Sequence, residues 1–454
     1  MKKKLLILCL LTITKFIYSQ SASIDPTFII GNGLNQNSSV RTIFVQKDNK
    51  ILISGVNFSS INGASLTSGT VRLNPNGSID ISFPSGTPSA YSFAQQSDGK
   101  IIIAGDASPN YNRIRRYNLD GTLDNSFSVG ISVNSGFDNT IFKTSIQTDG
   151  KIIVQGSFSK FGSTTIKQLT RLNSNGSLDN NFNDNINAIS AITQTNGVRS
   201  FTLLSNGKIL VSTESTPRII MLNNDGTLDS NFSTSVTNLV DSMTEQTDNK
   251  ILLATTYGSN NGKLLRLNSN GSTDNSFTFY DISNGRVGEI VQTSNDNIYI
   301  SNFNGATATN RLVKLSINGN VSTSFDIGTG FDDDLTKILV QSDGKILVGG
   351  YFDTYNGITK RSILRLIGDN NLSTNDNEIN KVTIYPNPVV DRINISKAIN
   401  TDNVKFEIYN LLGQNLLNGN VDNTSINVTS LPKGVYILKI KNGEDTINHK
   451  FIKE

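Results

Sequence analysis

Histidine and cysteine are almost missing from this chain. Among 454 residues there is one of each, His449 and Cys9. A Ser-His-Asp or Cys-His arrangement therefore cannot be assembled in the body of the protein, and zinc sites built on these ligands are excluded with it. Cys9 lies inside the apolar stretch Leu5 to Thr12, and its neighbours Ile7 and Leu8 are too bulky for a lipoprotein cysteine. Once that stretch is removed, no disulfide, thiol nucleophile or thiolate ligand remains. Charge is scarce too, at 17% of residues, while 36% are hydrophobic. Asn, Ser, Thr and Gly supply the polarity, the balance of an ordered, turn-rich β protein. Beyond the N-terminus no apolar run is long enough to span a bilayer.

The first residues read as a secretory signal over 1–19. Lys2, Lys3 and Lys4 precede the apolar core, and small or polar residues around Ser19 mark the cleavage region. This segment holds four lysines and no acid, so the net charge of +3 becomes 3 − 4 = −1 for the remainder. The basic character belongs to the export signal, and a nucleic-acid partner loses its support.

What the chain has in abundance is one phrase. QSDGKILVGG (Gln341 to Gly350) is preceded by QKDNKILISG (Gln46 to Gly55), QSDGKIIIAG (Gln96 to Gly105), QTDGKIIVQG (Gln147 to Gly156) and QTDNKILLAT (Gln246 to Thr255). Worn copies surround Lys208 and Asn297, making seven, spaced 42 to 57 residues apart. Each is followed by a second phrase such as RLNPNGSIDISF (Arg72 to Phe83). Alternation of period two flanks Asp-Gly or Asn-Gly dipeptides that suit tight hairpins, so four short strands per repeat are expected. That length and strand count fit a β-propeller blade, with a solenoid or a string of small sandwiches as alternatives. The second phrase closes on Phe83, Phe127, Phe182, Phe232, Phe277 and Phe325, but the seventh repeat lacks it. The missing piece, IDPTF, stands at Ile24 to Phe28. The expectation is an all-β, seven-bladed propeller over 24–367, closed by the N-terminal strand so that no sheet edge stays free.

These alternating phrases resemble the delta-60 repeat family of bacterial β-propellers. The match departs at Met221, which replaces the arginine of repeat four, and at Lys314 and Ser322 in repeat six. The family implies the fold and no agreed activity.

After a polar linker, 368–380, alternation resumes and several short strands over 381–454 point to a small β-sandwich. The order of Tyr385-Pro386-Asn387-Pro388, Asp391, Tyr409 to Gly413, Leu431, Gly434-Val435-Tyr436 and the basic end Lys450 to Lys453 closely resembles the type A sorting domain of the Bacteroidota type IX secretion system. The resemblance implies that machinery as a partner and a secreted or surface-exposed propeller from which signal and sorting domain are removed.

For chemistry, carboxylates remain. Asp80, Asp124, Asp179, Asp229 and Asp274 recur at one repeat position, which marks them as turn caps. Too few oxygens surround the turns for Ca²⁺, so no metal and no cofactor is expected. Asp281, Glu289 and Asp332-Asp333-Asp334 do not recur. The tight turns all follow first and third strands and share one face, leaving the variable loops on the other. Those loops carry Tyr111, Phe161, Tyr257, Tyr280 and Tyr355, aromatic planes suited to sugars or peptides. The favoured reading is a non-enzymatic binding or adhesion module for a glycan or protein ligand. The alternative is a carboxylate-dependent polysaccharide hydrolase on the same face.

Overall fold

The computed structural model describes residues 22–454 except 68, 85, 106–112, 130–135, 193–196, 258–260, 283–284, 295, 305–310, 369–383, 396–403, 411–413, 422–424 and 443–444. The signal segment 1–19 and nearly all of the 368–380 linker thus lie outside the described residues. The chain divides into two compact units, Met1–Asn370 and Asn371–Glu454.

The first unit is a sevenfold β repeat. Repeat one pairs Ser39–Val45, Ile51–Val56 and Thr70–Leu73 in that order, and repeat two pairs Ser92–Gln95, Ile101–Ala104 and Ile114–Tyr117. Repeats three, four and seven have the same antiparallel order; repeats five and six merge into one seven-stranded sheet through a parallel contact of Asn261 with Gly285. No described sheet closes on itself. The Asp-Gly turns work as the composition requires: Gly99, Gly150 and Gly344 adopt φ of 88°, 83° and 80°, and Asn49 and Asn249 take the same left-handed place at 64° and 63°.

The expected fourth strand is reduced to a single bridge, Leu73 to Ile79 in repeat one and Tyr117 to Leu123 in repeat two, with counterparts in repeats three to six. Pairing stops because the following aspartate turns the chain. Asp80 accepts the amide of Ser82 on its carboxylate (3.0 Å) and that of Phe83 on its carbonyl (3.2 Å). In repeat three the corresponding Asp179 caps a short α-helix, Asn180–Asn187, that buries Phe182 and Ile186.

The N-terminal segment occupies the same bridge position in repeat seven. Ile24 pairs with Leu366, Asp25 N donates to Arg365 O (2.8 Å) and Ile367 N donates to Ser23 O (2.8 Å). The cores lie between successive sheets: Ala94 and Ile102 of repeat two pack with Ile141 and Ile152 of repeat three. Likewise Leu347 and Ile363 of repeat seven share a core with Val40 and Ile43 of repeat one.

The second unit has a three-stranded sheet (Ile384–Tyr385, Arg392–Ile395, Ser425–Asn427) and a four-stranded sheet ordered Asn415–Asn420, Lys405–Asn410, Gly434–Asn442, Asp445–Lys453. Val389, Ile393, Phe406, Ile426, Leu438 and Phe451 form their common core. The sorting-motif residues knit its ends: Asn387 Oδ1 accepts the amide of Ile452 (2.9 Å), Tyr436 stacks on Phe451 at 5.5 Å and donates to Pro432 O (2.8 Å). Gly434 pairs with Lys453, and Tyr385 and Pro386 lead into Pro388 on the surface. Gly413 lies outside the described residues.

Candidate functional site

The residues of the repeated phrases form a structural clamp. In repeat two, Asp124 takes Lys100 at 2.7 Å and Arg116 at 2.7 Å. The same trio is Lys50–Asp80–Arg72 (2.8 and 2.7 Å), Lys151–Asp179–Arg171 (2.9 and 2.9 Å) and Lys250–Asp274–Arg266 (3.0 and 2.7 Å). In repeat seven the acid comes from the N-terminus, with Asp25 between Lys345 (3.3 Å) and Arg365 (2.7 Å). Each guanidinium also lies 4.3–4.8 Å from the ring of the closing phenylalanine. It then reaches the following repeat: Arg72 donates to Leu119 O (2.6 Å), Arg116 to Ser174 O (2.7 Å) and Arg365 to Pro75 O of repeat one (2.7 Å). Burial alone would raise these carboxyls, but hydrogen bonds from the lysine, the turn hydroxyl and the arginine hold Asp80 and Asp124 well below the carboxylate range, and those from Thr27 and Arg365 hold Asp25 at about 2. Groups so strongly ionised and internally paired serve structure, as recurrence implied.

The chemistry that varies lies elsewhere. One cavity of 610 Å³ is lined by residues from the first strand of every repeat. In six repeats the register slips near the start of that strand, as between Val40 and Thr42, Val198 and Ser200, Val240 and Ser242, and Leu335 and Lys337. A bulge re-aims side chains, and here it turns the residues five and four places before the hairpin glutamine toward the cavity. Those pairs are Arg41-Thr42, Tyr91-Ser92, Phe142-Lys143, Arg199-Ser200, Asp241-Ser242, Gly288-Glu289 and Thr336-Lys337, of which Arg199 alone lines a smaller adjoining cavity instead. The first strand runs from the variable loops toward the tight turn, so this charged level is at the variable-loop end.

Most of the charges there are matched. Lys337 pairs with Glu289, and Arg199 is held between Asp241 and Glu214. Thr256 also donates to Asp241. Arg41 donates to the Tyr91 hydroxyl (2.6 Å) and lies 5.0 Å from its ring centre, and Tyr91 meets Phe142 edge to face at 5.9 Å. Phe142 is 46% exposed. The Lys143 ammonium lies 5.4 Å from the Phe201 ring and makes no hydrogen bond or ion pair among the described residues. Burial pushes Lys143 down to about 8; Glu289 opposes the shift and Lys337 adds to it. A smaller cavity of 250 Å³ adjoins, lined by Phe142, Gln155, Gln168, Arg199, Glu214 and Asp241.

The loop residues singled out in the sequence are placed differently. Tyr355 is 1% exposed, its hydroxyl donates to Ala22 O (2.6 Å), and its ring packs on Phe331 at 4.6 Å; burial raises its pKa. Phe161 packs edge to face on Phe137 at 5.1 Å. Tyr355 thus packs its loop from within, and Phe161 is partly buried against the core of its repeat. Tyr280 is half-buried, with its hydroxyl 3.5 Å from Asn302. Asp332 accepts the amides of Asp353 (2.9 Å) and Thr354 (3.0 Å), Asp333 accepts that of Asp334 (2.6 Å), and Asp334 pairs with Arg311. The triple aspartate thus organises its own loop. Tyr111 and the side chain of Tyr257 lie outside the described residues. Among the described residues no group of His, Cys, Asp or Glu could hold a metal. Of the cavity residues, sequence reasoning singled out Glu289 alone. The signal for the others was there: a non-recurring charge at a fixed offset within a recurring phrase.

Comparison with known proteins bears on both units. Residues 46–83, 96–127, 147–182, 204–232, 246–277 and 341–369 match the domain of unknown function (DUF5122) β-propeller. Residues 383–454 match the secretion system C-terminal sorting domain. Over 73 residues the chain is 40% identical to beta-agarase D of Zobellia galactanivorans, spanning 16% of this chain and 15% of that protein. Among solved structures, PorZ, an essential surface component of the type-IX secretion system of Porphyromonas gingivalis, is 13% identical with a TM-score of 0.40, over 92% of this chain and 66% of that one. The extracellular domain of a putative one component system from B. thetaiotaomicron is 12% identical with a TM-score of 0.47, over 96% and 59%. Virginiamycin B lyase from Staphylococcus aureus is 14% identical with a TM-score of 0.46, over 74% and 96%. The chain thus spans less than two thirds of the first two of these structures. No helix among the described residues is long and apolar enough to cross a membrane. The chain thus carries DUF5122 β-propeller repeats followed by a type IX C-terminal sorting domain, which directs it to the cell surface or beyond it.

Proposed function

We propose that the protein is a non-enzymatic binding module, carried out of the cell by an N-terminal signal and the C-terminal sorting domain. Its seven repeats act as blades of a ring closed by the N-terminal strand, and the tail folds as a small sandwich removed after export. The ligand, a glycan or a surface protein, enters from the variable-loop side, where Tyr280 and the 332–334 loop stand beside the mouth. One observation carries this reading: a cavity to which all seven first strands contribute, lined by charges that differ from repeat to repeat. A part that served architecture alone would repeat, as the Lys–Asp–Arg clamp does. The hydrolase alternative has less support, because Asp241 and Glu289 are engaged in ion pairs and Asp332 in backbone contacts. Two unpaired carboxyls facing a cleft are what that chemistry needs. Screening the exported protein on glycan arrays and against cell-surface extracts should return a ligand whose binding is lost in Asp241→Ala/Lys337→Ala. Absence of binding across both screens would remove the proposal.

A further inference from the structure

We infer that the cavity takes an acidic sugar, with Lys143 as the anchor for the uronate carboxylate and the Tyr91–Phe142 corner as a wall for the ring. This inference rests on the binding reading above and names its ligand class.

The argument begins with charge matching. A half-buried ammonium without an anion or acceptor is unfavourable, and folded proteins pair such groups. At the charged level of the cavity, Lys337 has Glu289 and Arg199 has Asp241 and Glu214. Lys143 alone contacts only an aromatic ring, that of Phe201. An external anion completes the set. One free ammonium suits a singly charged carboxylate; a phosphate group calls for several free cations or a free guanidinium fork, whereas Arg41 is turned onto the Tyr91 hydroxyl and ring and Arg199 is held by Asp241 and Glu214.

The surroundings specify the rest of the ligand. Thr42, Ser200 and Ser242 line the cavity with neutral hydroxyls able to donate and accept, while those of Ser92 and Thr144 bond to each other at 3.0 Å. Tyr91 and Phe142 stand at right angles (87°) with Phe142 open to solvent, which offers a face to the C–H side of a pyranose. At 610 Å³ the cavity lies within the ~300–1,000 Å³ usual for small-ligand sites. Hydroxyls, an aromatic wall and one cation together describe a carboxylated sugar better than a peptide, whose amides would want backbone partners.

The test is calorimetric titration of the exported protein with oligogalacturonate, oligomannuronate and a glucuronate-containing oligosaccharide, each beside its methyl ester. At least one acid should bind about tenfold or more tightly than its own ester, the worth of one charge-assisted hydrogen bond. Lys143→Met should bring the affinity of that acid down to the level of its ester, with Lys143→Arg retaining the preference. Affinity should also fall as pH rises through about 8, because the ammonium is lost. Thermal melting confirms that the variants fold. Acid and ester binding equally, or a preference surviving Lys143→Met, overturns the acidic-sugar assignment while the binding reading stands. Failure of every sugar and of every array and extract ligand overturns both.

Discussion

At the scale of single residues, the clamp converts sequence recurrence into stability. Asp124→Ala would leave the nearly buried Arg116 without its anion, at an expected cost of about 3–5 kcal/mol. Arg116→Met should cost less, about 1–3 kcal/mol, because Lys100 still holds the carboxylate. Repeat four already contains that arrangement: Met221 stands for the arginine, Lys208 alone holds Asp229 (2.6 Å), and Phe232, deprived of a guanidinium lid, is less buried than its counterparts. Urea denaturation midpoints would rank the two variants. The clamp also dictates an acid limit. Each clamp carboxyl titrates lower in the folded protein than in the unfolded chain, whose aspartates protonate near ~3.9. Their contribution is therefore complete above about pH 4 and is lost as pH falls through the folded values, of which that of Asp25 is about 2. Melting temperature should be level between pH 5 and 7 and drop steeply below ~4, less steeply in Asp25→Asn/Asp80→Asn.

Among elements, the bulge in the first strand links scaffold and site. The glycine ending the repeated phrase lets the second strand lie against it: a Cβ on Gly156 would fall 2.1 Å from Thr140 O, and one on Gly350 2.2 Å from Asp334 O. Gly156→Ala should cost about 1–3 kcal/mol and, by shifting the turn that aims Phe142 and Lys143, weaken ligand binding beyond the effect of unfolding. Melting and titration of the same variant separate the two effects. The β hairpins, the repeated architecture and the structural role of the recurring aspartates were legible in the sequence, because period-two alternation and Asp-Gly turns are local signals. The bulge was not. It is set by contact between strands, and VRTIFVQ reads as unbroken alternation although Arg41 and Thr42 both reach the cavity. Nor does spacing distinguish an aromatic on a loop from one inside it, which is why Tyr355 and Phe161 read as exposed and prove to be packing. The fourth strand was legible as a phrase but not as a turn, since Asp80 spends its carboxylate on Ser82.

For the whole molecule, the junction of the N-terminal segment with repeat seven is the decisive contact. Phe28 is buried beneath Arg365 as Phe127 is beneath Arg116. If the segment 24–28 completes repeat seven, Phe28→Ala should cost about 3–5 kcal/mol, matching Phe127→Ala; a loose tail would cost almost nothing. Equilibrium unfolding of the two variants side by side decides it. The same junction sets a timetable. Asp25 stands near the start of the chain, yet its partner Arg365 lies 340 residues later. Contacts so distant in the chain form late and slowly. In any chain that emerges N-terminus first, the 24–28 segment therefore stays unpaired until nearly the whole repeat array has followed, and a chain truncated before Arg365 lacks its partner. Arrival of repeat seven acts as a proof of completeness, written into the fold rather than into any separate inspector.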